Sequence, residues 1–369
     1  MKVVFNKADL LKSVSIVMKA VPVRTTMPIL ECILIDATTG NIKFTANDME
    51  LGIETAVTGS VIEKGMIALD AKIFSEIVRR LPDSEVTIST DYNNIAYIKC
   101  EKANFQIPGK DGDEFARLPM LEKEDHISLS QFTLKELIRQ TIFSIAANEN
   151  NKLMTGELFE IKNNVMKIVS LDGHRIAIRK LELAGTYKDK KVVVPGKTLN
   201  EISKILSGEV DQTVDIFFSE NHIIFEFDET VVVSRLIEGE YFRIEQMLSS
   251  DYETKLTINK KEFLSCIDRA TLLVKEGDKK PIIISIADQS MELSIDSSMG
   301  SMKEDIDINK TGKDIIIGFN PKFLIDALKV IDEEIVDIYM VNSKAPCFIR
   351  NEEETYTYLI LPVNINAGR

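Results

Sequence analysis

Three stretches of this 369-residue chain share one pattern at one interval. They read DAKIFSEIVRRLP from Asp70, PGKTLNEISKILS from Pro195 and NPKFLIDALKVID from Asn320. Lys72, Lys197 and Lys322 stand 125 residues apart; so do Phe74, Leu199 and Leu324, and also Leu81, Leu206 and Ile331. An interval this long is a triplicated domain rather than a short solenoid repeat. Equivalent domains joined by equivalent contacts can close into a ring.

A second helix recurs in each unit: NKADLLKSVSIVMKAV from Asn6, SQFTLKELIRQTIFSIA from Ser130 and NKKEFLSCIDRATLLV from Asn259. Each opens on Asn or Ser, whose side chain can accept an orphan N–H of the first turn, and then places apolar residues at helical spacing. Apolar runs with strand character surround the helices: MIAL, VVVP and IIIGF before each Lys-bearing helix, then EVTIST, TVDIFFS and IVDIYMV after it. The segments GDEFARLP and GEYFRIEQML rhyme at the unit ends. The expected fold is α+β, three tandem domains of many strands and two helices each, at residues 1–122, 123–250 and 251–369.

A formal net charge of −13 argues against a protein coated in positive charge, but a basic stripe on one surface can still meet phosphates. The six helices carry such a bias, with fifteen basic residues against seven acidic among the groups that mark their polar faces. Lys12, Arg79, Arg80, Lys135, Arg139, Lys197 and Lys322 are accordingly expected to face a phosphate backbone without reading bases. The alternative is an ordinary solvated face. Cys32, Cys100, Cys266 and Cys347 are scattered, as are the three histidines, so no metal site is expected. No apolar run approaches membrane-spanning length and the N-terminus lacks a signal-like core, which makes the cytoplasm the default location. An enzyme is one rival reading. It finds no phosphate loop, nucleophile elbow or metal-spaced cluster; PGKT at Pro195 lacks the first glycine of a P-loop, with Lys191 in its place. A scaffold unrelated to DNA is the other rival.

Three motifs then occur in order: RTTMPIL from Arg24, SLDGHRIA from Ser170 and YLILPV from Tyr358. Together they resemble the beta subunit of bacterial DNA polymerase III, the sliding clamp, and the resemblance covers the whole chain. It implies a head-to-tail homodimer, six domains in a ring with antiparallel sheets outside and helices lining the hole, no catalytic residue and no cofactor. It implies that Arg24 and the loop from Asn148 to Lys152 touch duplex DNA. It implies a seam of Phe105 against Leu272 and Leu273, with Lys99 and Lys102 near Glu304, Asp305 and Asp307. A partner pocket is implied at Met154, Leu171, Gly173, His174, Arg175 and Ile176 together with Leu359, Ile360, Leu361, Pro362 and Val363. His174 and Arg175 are expected at its polar edge. Replicative polymerase, clamp-loader and repair proteins would dock there through short linear peptides bearing a Gln and then Leu and Phe. At Tyr241–Ile244 and at Gln246 the chain departs from the family pattern.

Overall fold

The helix caps read from the sequence are made. The computed structural model describes residues 1–119, 123, 126–147, 151–275 and 280–365, so Asn148 and the boundary after residue 122 lie outside the described residues. Six α-helices are found among the described residues: α1 Lys7–Val17, α2 Ala71–Arg80, α3 Gln131–Arg139, α4 Gly196–Ile205, α5 Lys260–Thr271 and α6 Pro321–Val330. Asn6 Oδ1 accepts the Ala8 N–H at 2.9 Å, Ser130 Oγ the Thr133 N–H at 3.0 Å and Asn259 Oδ1 the Glu262 N–H at 3.0 Å. Asp70 and Asn320 cap α2 and α6 in the same way. Each such cap contributes about 1 kcal/mol.

The apolar stripes meet the sheets. Phe74 on α2 is fully buried and stacks edge-on against Phe44, which in turn meets Phe5. Truncating a residue so placed costs about 3–5 kcal/mol. In the third repeat α5 and α6 bury Phe263, Ile267, Leu324 and Leu328 against Ile284, Ile338 and Ile349.

By backbone contact the chain divides into two units, residues 1–135 with 198–236, and residues 136–197 with 237–369. The division follows the sheets, all of whose pairings are antiparallel. The first unit contains a thirteen-stranded sheet, the second a seven-stranded and a four-stranded one. Seven strands explain the arrangement: β1 Leu51–Val57, β2 Ala103–Lys110, β3 Gly156–Leu171, β4 Arg175–Pro195, β5 Thr230–Arg235, β6 Gly300–Asp307 and β7 Tyr356–Ile360. In the first unit β1 pairs with β5, Thr230 opposite Thr55 through Ser234 opposite Leu51, with the two buried threonine hydroxyls 2.9 Å apart. In the second, β4 pairs with β7, Arg175 opposite Ile360 through Arg179 opposite Tyr356. The middle repeat therefore shares one continuous sheet with each neighbour in sequence.

Turn geometry identifies the equivalent strands. β1 and β4 each leave a hairpin whose Asp accepts two backbone N–H groups, Asp48 from Glu50 and Leu51 and Asp172 from His174 and Arg175. The residue after that Asp lies in the left-handed region in both, Met49 at φ 74° and Gly173 at φ 87°. Ser297–Gly300 closes the matching hairpin before β6. On the other side, left-handed Glu101, Asp228 and Glu354 precede β2, β5 and β7. So β1, β4 and β6 are one strand of the repeat, and β2, β5 and β7 another.

One core residue breaks the pattern. Glu157 on β3 is fully buried, and neither carboxylate oxygen has a hydrogen-bond partner. The neighbouring Thr141 hydroxyl donates instead to the Leu137 carbonyl at 2.7 Å. Burial pushes the Glu157 carboxyl well above its ordinary value of 4.5. The folded state then holds the proton more tightly than the unfolded one, so stability falls as pH climbs from about the unfolded value upward. Glu157→Gln keeps the shape without the titration. Denaturant unfolding should find it more stable than wild type at pH 8 and close to it at pH 4. Parallel stability–pH curves for the two proteins would contradict this.

Candidate nucleic-acid and partner sites

The expected DNA-facing cations separate into two kinds. Lys12, Arg24, Lys72, Lys152 and Lys322 are exposed with no carboxylate partner among the described residues, and Lys197 is also exposed. Others are already paired within the chain. Arg79 and Arg80 both pair with Glu76 on α2. Arg139 holds Glu136 and, at 2.9 Å, Asp332; the Glu136 hydrogen bond raises its pKa further. Lys135 donates to the Leu206 carbonyl at the end of α4 at 3.3 Å, and Lys260 to the Ile331 carbonyl at the end of α6. Both lysines serve carbonyls that a helix end leaves unpaired, and a cation there also suits the helix dipole. Lys135 is thus a helix-capping residue as well as a helix-face cation, which its spacing alone did not reveal.

The pocket residues assemble within the second unit, on two sides of one sheet. Side chains alternate along a strand, so neighbours in sequence part company. Leu171, Ile176 and Leu359 are buried in a cluster with Tyr241, Ile244, Tyr339 and Phe348, and Met154, Leu153 and Phe242 lie partly exposed over it. Gly173 and His174 are exposed at the hairpin, Leu361 is 38% exposed, and Pro362 and Val363 are half-buried beside it. The Leu361 N–H donates to the His174 carbonyl at 2.9 Å and the Val363 N–H to the Gly318 carbonyl at 2.8 Å, which hold the C-terminal segment against the hairpin and against the strand Ile315–Phe319.

Two residues go elsewhere. Ile360 faces the opposite side of the sheet, in the core beneath α5 and α6. Arg175 is not at a polar edge: it is 7% exposed and committed to Asp172 at 3.0 Å, Asp326 at 2.7 Å and the Phe143 carbonyl at 2.6 Å. At the altered stretch Tyr241 and Ile244 are buried and Gln246 is exposed. Sequence reasoning did not name Leu153 beside the expected groove, placed Phe242 only within the altered stretch, and missed Phe143, Phe323 and Asp326 as Arg175's surroundings. An apolar residue beside an assigned one was the available signal for the first two; the others come from distant segments and left none.

The seam residues also differ from one another. Phe105 is 40% exposed beside Ile73 and Ile77 of α2, where Lys72, Glu76 and Arg80 complete a shallow apolar pocket. Leu272 is 74% exposed, whereas Leu273 turns inward against the third-repeat core. Glu304 is held by Arg269 within the chain, which also lowers its pKa, so it is not waiting for Lys99 or Lys102; Asp305 and Asp307 are exposed. Among the described residues no three His, Cys, Asp or Glu side chains gather as metal ligands, and no helix is long and apolar enough to cross a membrane.

The chain matches three successive family models along its length. They describe the DNA polymerase III beta subunit: its N-terminal domain at residues 1–119, central domain at 128–242 and C-terminal domain at 245–364. It is 35% identical over 357 residues to the beta sliding clamps of Staphylococcus epidermidis and Staphylococcus aureus, covering 94% of each chain. A solved structure from Eubacterium rectale, described as a DNA polymerase III beta subunit, is 67% identical with a TM-score of 0.97, covering 99% of this chain and 100% of that one. The Bacillus subtilis DNA polymerase sliding clamp is 35% identical with a TM-score of 0.96, covering 99% of both. The chain belongs to the DNA polymerase III beta subunit family, the DNA sliding clamps of bacterial replication, and like them it is a processivity factor rather than an enzyme.

Proposed function

We propose that this clamp works as a cytoplasmic head-to-tail homodimer, three domains per chain at residues 1–122, 123–250 and 251–369, encircling duplex DNA and tethering replication and repair proteins to it. The observation that carries the reading is a pair of unused strand edges. β1 and β4 are both paired across a repeat junction, but their equivalent β6 is the outer strand of its sheet. β5 and β7 are paired likewise, but along Ala103–Pro108 their equivalent β2 pairs only with the strand Ile95–Cys100. The missing junction is β2 of one chain against β6 of a second.

The repeat even supplies its register. Val232 lies opposite Ile53 in the junction that is formed. Asp228 follows Glu101 by 127 residues, and Gly300 follows Leu51 by 249. The same offsets put Phe105 opposite Met302, Asn104 opposite Lys303 and Ala103 opposite Glu304 of the second chain. The exposed Phe105 and Leu272 are then available to exclude water at that seam, together with the inward Leu273. Two such seams per ring leave neither edge bare.

DNA would be held by topology. Contacts from Lys12, Arg24, Lys72, Lys152, Lys197 and Lys322 go to phosphates, are individually weak and sense salt. Arg79, Arg80, Lys135 and Arg139 contribute less, because each already serves a carboxylate or carbonyl of its own chain. Partner proteins would dock in the groove of Met154, Phe242, His174 and Leu361. A short flexible peptide there gains burial of apolar anchors and loses chain entropy, which gives affinity on the order of micromolar.

Loading on nicked circular duplex tests the function directly. The clamp should stay bound through a high-salt wash and be lost once the circle is cut; equal loss from circle and linear DNA would contradict encirclement. A second measurement tests the cations. Lys12→Glu, Lys72→Glu and Lys322→Glu combined should flatten the log–log salt dependence of duplex binding, by roughly one unit per lost phosphate contact. Arg139→Gln should leave the slope unchanged, and the opposite ranking would overturn the division into free and engaged cations.

A further inference from the structure

The buried Arg175 raises a question that peptide contact does not answer. An ion pair taken out of water returns little net stability, since desolvation offsets most of the attraction. Such a group is better explained by the geometry it enforces. Arg175 Nε donates to Asp172, Nη1 to Asp326 on α6 and Nη2 to the Phe143 carbonyl. Its guanidinium lies 5.4 Å from the Phe143 ring and 4.6 Å from the Phe323 ring. Phe323 and Asp326 are three residues apart on α6, hence on one face of that helix.

The same Phe323 ring is 5.9 Å from the ring of His174, the exposed residue next to Arg175. His174 in turn accepts the Leu361 N–H through its carbonyl, and its own N–H goes to Asp172. Thus Asp172 holds the backbone of the hairpin with one oxygen and the Arg175 side chain with the other. His174, and through its carbonyl Leu361, the two exposed edges of the groove, are thereby tied to the clasp between Arg175 and α6, while Val363 is held separately by Gly318.

We infer that Arg175 and Asp326 are positioning residues for partner binding: their ion pair, packed between Phe143 and Phe323, sets the His174–Leu361 lip of the groove without itself touching the peptide. The inference rests on the reading of this groove as the peptide site. It moves Arg175 from ligand contact to support and gives Asp326 and Phe323 roles in recognition. The fork geometry matters as well as the charge, because three acceptors in different directions suit a guanidinium and not an ammonium.

The test is fluorescence anisotropy of a labelled peptide carrying Gln followed by Leu and Phe, on the full-length protein with Asp326→Asn, Arg175→Lys and both changes. Each single change should weaken binding about tenfold, and the double should be scarcely weaker than either, as expected for two residues acting through one interaction. Amide hydrogen exchange at Leu361 should quicken in all three variants, while sedimentation still reports the wild-type oligomer. Arg175 touching the peptide itself would show as an Asp326→Asn protein with wild-type affinity, or as losses that multiply in the double; either overturns the inference. No peptide binding by wild type would instead remove the groove reading, and unchanged Leu361 exchange in Asp326→Asn would independently remove the clasp.

Discussion

Antiparallel pairing between repeats is the interaction on which the rest of the molecule depends. Backbone N–H and C=O groups on a strand edge need partners, and a bare edge invites any other strand. This chain answers twice within itself, β1 with β5 and β4 with β7, using the same two strands of the repeat each time. Repetition turns the third case from an oddity into an expectation. β2 and β6 occupy the corresponding places in the first and third repeats, and among the described residues neither has the corresponding partner; in the proposed dimer each finds it on the other chain. Ring closure then needs no special device, only one more copy of a contact the chain already makes.

Charge follows from the same plan. An acidic chain of net −13 can hold DNA without binding it tightly if the cations that meet phosphate are few and exposed. The structure thins them further. Glu76 takes up two arginines, Asp332 and Glu136 take up a third, and Lys135 and Lys260 close helix ends. What remains exposed is a sparse set of cations, mostly lysines. That suits the proposed retention by topology, in which each contact must break at every step of sliding.

Much of this was legible in the sequence. The 125-residue interval sits in the Lys-bearing helices, where caps and the 3.6-residue stripe leave little freedom, and α2, α4 and α6 begin where it puts them. The strands hid more. Hairpin loops vary by a residue or two, so the true offsets run from 124 between Asp48 and Asp172 to 127 between Glu101 and Asp228. A one-residue difference turns a side chain to the other face of a sheet. Alternation along the strand likewise puts Ile360 and Arg175, each next to a residue expected in the groove, on the opposite side of the sheet. Glu157 was invisible for a different reason. Alternation along GELFEI puts Glu157 on the same face as Phe159 and Ile161, but a strand glutamate is ordinarily solvated, and only the tertiary packing shows that this one is inside.

Closure of the proposed ring rests on the register of the intermolecular junction, and a disulfide reads it. Opposite residues of an antiparallel pair have Cα atoms about 4.5–5.5 Å apart, within disulfide reach, whereas a shift of two residues is not. All four native cysteines are buried. Asn104→Cys with Lys303→Cys should therefore form a covalent dimer under mild oxidation, on a non-reducing gel, and Asn104→Cys with Asp305→Cys should not. Cross-linking of the second pair and not the first, or of neither in a protein that sediments as a dimer, would contradict the account.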